Sequence, residues 1–302
     1  MFIEMEKYNE YEELGITLVV VKQKNYKKIS IIVAIILAIL FCILIYVSSI
    51  HNKMLAIQED VNLQAEVGQD ILEEVTQNDT KLPVLTQKGR DNMTNIYKSE
   101  QKIAYLTFDD GPSKSVTPQI LNILDQYNIK ATFFVLGCNV DKNPDIVRQS
   151  YEKGHYIANH GYSHVYENIY ASSQAVLDEF NRTEQSVRNA IGVQEYSGHI
   201  FRFPGGSMGK KYRMVKDEAK ILLSNNDILC VDWNALTNDS VGKPTAESIV
   251  NDLKTTVGTK NTVVILMHDT GSKQLTVDTL PQILDYLIEQ GYTFRTFYDV
   301  IC

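Results

Sequence analysis

Ile29–Ile50 (ISIIVAIILAILFCILIYVSSI) is an unbroken run of 22 residues with no charge, no glycine and no proline. As a helix rising about 1.5 Å per residue it is about 33 Å long, enough to cross a hydrocarbon layer of about 30 Å. A helix buried in a soluble core keeps a polar stripe, and none interrupts this segment. A cleaved signal peptide has an apolar region of roughly 7–15 residues followed by a small-x-small site, which the stretch around Val47–Ser49 lacks. The run therefore reads as an uncleaved signal anchor. Lys22, Lys24, Lys27 and Lys28 precede it, whereas Lys53 alone follows within the next fifteen residues, so the N-terminus is expected in the cytoplasm and the remainder outside. This predicts a cytoplasmic tail over 1–28, a transmembrane anchor over 29–50, an extracellular stalk over 51–98 and a folded domain over 99–302.

Outside the anchor the composition is that of a globular protein. Hydrophobic residues are 44% and charged residues 22% of the 302, which excludes wholesale disorder. The formal charge of −8 argues against a nucleic-acid partner, which needs a basic face. Of four cysteines, Cys42 lies in the span. Cys138, Cys230 and Cys302 have neither disulfide-framework nor zinc-knuckle spacing. Cys138 and Cys230 read as buried free thiols, with one disulfide left open.

Apolar residues at Ile57, Val61, Ala65, Leu72 and Val75 give residues 51–80 a helical spacing interrupted by Gly68, an amphipathic stalk that also allows a stalk-mediated dimer. Residues 81–98 show no period and read as linker. From residue 102 short apolar runs alternate with helical stretches. Strands are predicted at 103–107, 131–137, 156–159, 200–203, 227–232, 262–267 and 292–297. Helices are predicted between them, among them 173–191, 212–225, 245–257 and 277–290. Seven strands with helical crossovers imply parallel pairing and a distorted (β/α) barrel. A doubly wound open sheet lacks support, since no glycine-rich nucleotide loop follows the first strand.

In such barrels chemistry sits where the strands end. The polar clusters fall there: Asp109-Asp110, His160 and His164, Arg202, Asp239, and His268-Asp269. His160-Gly-Tyr-Ser-His164 spaces two imidazoles four residues apart, on one face of a helical turn, where both can reach one metal. Gly161 stands where a zincin protease needs its glutamate, which excludes that class. Adjacent carboxylates at the end of a buried strand are costly unless paired or ligated. One aspartate with two histidines makes a three-ligand catalytic metal site with an open position, and the other aspartate is free to act as base. The competing reading of Asp109-Asp110-Gly-Pro is a plain Asp-Gly turn. His51, His155 and His199 have no such partners and read as structural or exposed.

Thr107-Phe-Asp-Asp-Gly111, His160-x-x-x-His164, Arg202-Phe-Pro204 and Leu266-Met-His268-Asp269 together resemble the motifs of the NodB-homology polysaccharide deacetylases, carbohydrate esterase family 4. The resemblance spans about residues 101–300. It implies Asp110, His160 and His164 as ligands of a divalent metal, Zn2+ first and Co2+ or another divalent ion otherwise. It implies Asp109 as general base, Arg202 holding Asp109, His268 as general acid and Asp239 keeping His268 protonated. Gly205 would offer its backbone N–H to the oxyanion, and Leu266 would line the pocket for the acetyl methyl. Two departures stand out. The family's Arg-x-Pro-Tyr is Arg202-Phe-Pro204-Gly205 here, so the aromatic wall is lost. Its Asp-x-x-Asp-Trp reads Leu236-Thr-Asn-Asp239-Ser240. Trp233, the single tryptophan, reads as barrel filling rather than a sugar platform.

The resemblance implies a hydrolase that removes N-acetyl groups from a cell-wall polysaccharide, peptidoglycan above all, on N-acetylglucosamine or N-acetylmuramic acid. The anchor suits an enzyme held at the outer membrane face beside the wall of a bacterial cell. An O-acetyl esterase on a xylan-type polysaccharide and a non-catalytic glycan-binding module are the competing readings.

Overall fold

The computed structural model describes residues 30–54 and 82–302. The chain divides into two compact units, Met1–Gln77 and Asn78–Cys302. In the first, α1 (Ser30–Met54) is one 25-residue helix, long and apolar enough to cross a membrane, with its large apolar side chains exposed all round. The predicted tail over 1–28 and residues 55–81 of the predicted stalk fall outside the described residues.

The second unit is a curled parallel sheet wrapped by helices. Its strands are β1 (Ile103–Asp109), β2 (Thr132–Val135), β3 (Tyr156–Asn159), β4 (Ile200–Phe201), β5 (Leu229–Cys230), β6 (Ala235–Leu236), β7 (Thr262–His268) and β8 (Thr293–Phe294). The helices are α2 (Gln87–Thr94), α3 (Thr117–Gln126), α4 (Gly137–Lys142), α5 (Pro144–Glu152), α6 (Tyr166–Ile169), α7 (Ser173–Ile191), α8 (Arg213–Asn225), α9 (Ala246–Val257), α10 (Gln274–Glu289) and α11 (Tyr298–Ile301). The spatial order is β5-β4-β3-β2-β1-β7-β6. β1 is central: β7 pairs along its whole length, while β2 (from Thr107) and β8 (Ile103 and Ala104) share the other edge. β5 and β6 are the two outer edges, yet only four residues join them. A fully extended chain advances at most about 3.6 Å per residue, so the sheet must curl until its edges face each other.

Strand alternation sorts the core into two layers. Ala104, Leu106 and Phe108 of β1, with Val263, Ile265 and Met267 of β7, join the outer layer under α3, α9 and α10. Ile103 and Tyr105, with Val264, Phe134, Tyr156 and Phe297, fill the inside. Being buried on both faces, β1 reads as a continuous apolar run, as central parallel strands do. The inward set continues upward as Thr107 and Asp109 on β1 and Leu266 and His268 on β7. The fold thus points the polar cluster into the open top of the curl.

All seven predicted strands are present, but only β3 keeps its expected extent, and β4, β5 and β8 shrink to two residues each from the expected 200–203, 227–232 and 292–297. β1 and β7 run on to Asp109 and His268, because the β1–β7 ladder continues to that pair. Gly137 opens α4 instead of closing β2. β6 was not expected; a two-residue strand carries too few residues to show a period. Within the segment expected as linker, α2 is a helix. Its N-cap Thr86 accepts the Gly89 N–H and donates its own N–H to the Ile301 carbonyl, tying α2 to α11.

Candidate active site

Asp109 ends β1 on its inner face, 2% exposed. Arg202, fully buried, donates from one guanidinium nitrogen to Asp109 Oδ1 and to Thr107 Oγ1, both at 2.7 Å. Its Nε and Nη2 donate to the Val231 and Asp232 carbonyls, and its Cζ lies 3.9 Å from the Phe134 ring centre. Four of its five N–H groups are so engaged, which fixes the charge in place. Burial raises the Asp109 pKa, opposed by the charges of Arg202 and His268.

Asp110 leaves the strand in the left-handed region, φ 72°, which turns its carboxylate back toward the histidines. Its Oδ1 is 3.5 Å from His160 Nε2 and 3.4 Å from His164 Nε2, and has no hydrogen-bond partner although buried. The three ligand atoms lie within 4.8 Å of one another. His160 Nδ1 lies 2.7 Å from the Arg202 carbonyl, which can only accept, so Nδ1 carries the proton and Nε2 presents its lone pair. Burial lowers the His160 pKa to about 3, keeping that ring neutral. An orphaned carboxylate oxygen facing two imidazole nitrogens fits a divalent cation with mixed N/O ligands.

His160–His164 is not the helical turn expected. It is a loop, with Gly161 at φ 81° and His164 at φ 56°. Its backbone is held by Glu179 of α7, whose carboxylate accepts the Tyr162 and Ser163 N–H groups at 2.7 and 2.8 Å and the Ser163 hydroxyl at 2.6 Å. Those hydrogen bonds replace the ones a helix would make, and the four-residue spacing still brings both rings to one point.

His268 lies opposite Asp109 in the β1–β7 ladder. Its Nδ1 donates to Asp239 Oδ1 at 2.7 Å, and its backbone N–H donates to Oδ2 at 2.8 Å. The Thr276 hydroxyl also donates to Oδ2, at 2.8 Å. Burial alone would lower the His268 pKa; the hydrogen bond and charge of Asp239, with the charges of Asp109 and Asp110, outweigh it and raise it. Burial likewise works against ionised Asp239, but hydrogen bonds from His268 and Thr276 hold its pKa below the usual value.

Gly205 has φ 71°, and its N–H has no hydrogen-bond partner among the described residues. Lys216, 3% exposed, reaches from α8 to donate to the Gly206 carbonyl at 2.7 Å, and Asp232 accepts from the Ser207 N–H and hydroxyl. Leu266 lies on the inner face of β7, two residues before His268. Trp233 is half-buried, packed against the inner core with its ring centre 5.7 Å from the Arg202 guanidinium carbon. Cys42, Cys138, Cys230 and Cys302 are all free thiols, with Cys138 and Cys230 half-buried.

The structure thus brings every predicted site residue to one end of the curl. Sequence reasoning missed Glu179, Lys216 and Thr276, which with Thr107 support the reactive groups, and it named Thr107 and Asp269 within motifs without a role for either; the structure gives one to Asp269. That residue is 1% exposed, accepts from Thr117 Oγ1 at 2.6 Å, and has its pKa pushed up to about 7 by burial.

Residues 97–222 match the polysaccharide deacetylase family profile. A peptidoglycan-N-acetylglucosamine deacetylase of Bacillus cereus is 35% identical over 205 residues, 66% of this chain and 71% of that protein. Among solved structures, a Streptococcus mutans CE4 esterase superposes with a TM-score of 0.61 at 31% identity, covering 71% of this chain and 92% of its own. The catalytic domain of peptidoglycan N-acetylglucosamine deacetylase from Eubacterium rectale gives 0.60 at 33% identity, covering 66% and 90%.

Proposed function

The chain belongs to the polysaccharide deacetylases of carbohydrate esterase family 4, and from that membership we propose that it hydrolyses the N-acetyl group of N-acetylglucosamine units in peptidoglycan, with a divalent metal, at the outer face of the membrane. The observation that carries the reading is the convergence of Asp110, His160 and His164 beside a buried Asp109 that Arg202 holds. The B. cereus and E. rectale relatives, both peptidoglycan N-acetylglucosamine deacetylases by name, support the choice of sugar.

Asp110, His160 and His164 would hold the metal, Zn2+ or Co2+, which when bound supplies Lewis acidity at the acetyl carbonyl. Asp109 Oδ1 is occupied by Arg202, which leaves Oδ2 to accept the proton of the attacking water. Negative charge growing on the acetyl oxygen would meet the Gly205 N–H, which has no partner among the described residues. His268, its Nδ1 fixed by Asp239, presents Nε2–H to the departing nitrogen. Leu266 offers an apolar surface to the acetyl methyl. One water is consumed, acetate leaves, and the glucosamine amine remains.

The anchor reading supports the location. With 29–50 spanning and the lysine excess before it, residues 1–28 stay in the cytoplasm and the domain over 99–302 faces the wall. The full chain in detergent, incubated with peptidoglycan, should yield muropeptides lacking the glucosamine acetyl group, by mass spectrometry. Chelator should abolish this and added Zn2+ or Co2+ restore it. No acetate release in the presence of either metal would refute the reading.

A further inference from the structure

The aromatic wall that motif three lacks is replaced from another element. At Gly205 φ is 71°, and a Cβ would overlap Tyr166 Oη and stand 3.2 Å from its Cζ, so a side chain at 205 and the Tyr166 phenol in this position exclude each other. The space where a residue-205 side chain would begin is therefore already filled by the Tyr166 phenol, which reaches it from the first turn after His164. The Tyr166 ring centre lies 5.5 Å from that of His164, so the phenol bridges from the candidate metal ligands to the candidate oxyanion donor.

Neighbours hold this placement. Tyr166 packs edge-on against Tyr170 and Tyr212, at 5.7 and 6.3 Å between ring centres. Tyr170 Oη in turn donates to the Pro204 carbonyl at 2.7 Å, which couples the cluster to the Gly205 turn. Tyr166 itself is half-exposed, and its hydroxyl makes no hydrogen bond to any described residue. A half-exposed ring packed between aromatic neighbours, with a free hydroxyl, suits a pyranose, which offers an apolar C–H surface and hydroxyls at its edge.

We propose that Tyr166 is a substrate-contacting, specificity-determining residue: its ring and hydroxyl form the wall against the N-acetyl sugar being deacetylated, in place of a side chain at position 205. This rests on the proposed activity.

The test compares two substrates on the full chain in detergent: an N-acetylglucosamine oligomer, and 4-nitrophenyl acetate, which has the acetyl group and no sugar. Tyr166→Ala should lower the ratio of glycan to ester kcat/KM at least about tenfold, and Tyr166→Phe, which keeps the ring, by a smaller factor of about three. The loss should be carried chiefly by KM for the glycan, with bound metal unaltered. An unchanged ratio in both variants, or equal losses on both substrates, would overturn the assignment while the deacetylase reading stood. A wild-type chain inactive on the glycan would overturn both.

Discussion

Asp109 and Asp110 are neighbours with opposite surroundings, and the difference predicts separable phenotypes. Asp109 is buried against Arg202, whereas Asp110 keeps a bare oxygen toward two imidazoles. Asp109→Asn should leave bound metal near its normal level and lower kcat by roughly 10²–10⁴-fold, the usual worth of a positioned proton acceptor. Asp110→Asn should lower bound metal, and excess metal should partly restore its rate. Metal analysis beside turnover decides; metal loss in the Asp109 variant would reverse the roles. The His268–Asp239 pair makes a pH prediction. Asp239 favours protonated His268, so the acid form survives to higher pH than for a free imidazole, and activity falls as pH rises through that raised pKa. Asp239→Asn keeps an acceptor for Nδ1–H but removes the charge. The pKa of His268 then drops, and the alkaline limb of the kcat profile should move to lower pH. An unmoved limb would detach His268 from that ionisation.

Between elements, close backbone approach decides outcomes that helix propensity alone gets wrong. Gly89 lies inside α2, where alanine is worth about 1 kcal/mol more than glycine. A Cβ there would overlap the Ile301 carbonyl and sit 2.6 Å from its Cα, both backbone atoms that cannot swing aside. The clash should win. Gly89→Ala is expected to destabilise the Asn78–Cys302 unit by about 1–3 kcal/mol, lowering Tm by several degrees in calorimetry. Hydrogen exchange should localise the loosening to α2 and α11, and a raised Tm would contradict that docking. The same logic separates what was legible in the sequence from what was not. β1 and β7 were readable as continuous apolar runs and α7 from its 3.6 period, each long enough to register, and the polar clusters followed in order at the strand ends. β6 is two residues long, and α2 buries only Gly89 and Met93, so neither carries a pattern. The residues that hold the site escaped for another reason. Glu179, Lys216 and Tyr166 act on backbone or space near residues 10 to 39 positions away. That is information about the fold, absent from local spacing.

At the scale of the whole molecule, two polar requirements have to be met in different places. The candidate site depends on buried charges and needs an aqueous cleft open to a polymer, whereas α1 exposes apolar side chains from Ile31 to Met54 that water cannot satisfy. Burying α1 in a bilayer removes that exposed surface at about 25 cal/mol per Å2, so the chain should sediment with membranes and resist alkaline extraction. Which side the remainder occupies follows from the lysines. Four in the seven residues before the span outweigh Lys53 after it, and lysine-rich flanks stay in the cytoplasm. The acidic flank beyond Lys53 adds little to this choice, because the bias counts Lys and Arg rather than net charge. Protease added to intact, wall-stripped cells should therefore digest the Asn78–Cys302 unit, leaving a protected fragment that reacts with an antibody against residues 1–28. Replacing Lys22, Lys24, Lys27 and Lys28 with glutamine should weaken the bias and leave a fraction of the chains with that unit protected. Complete protection in the wild-type chain would place the unit in the cytoplasm, away from the wall polymer, and end the peptidoglycan assignment on grounds of access alone.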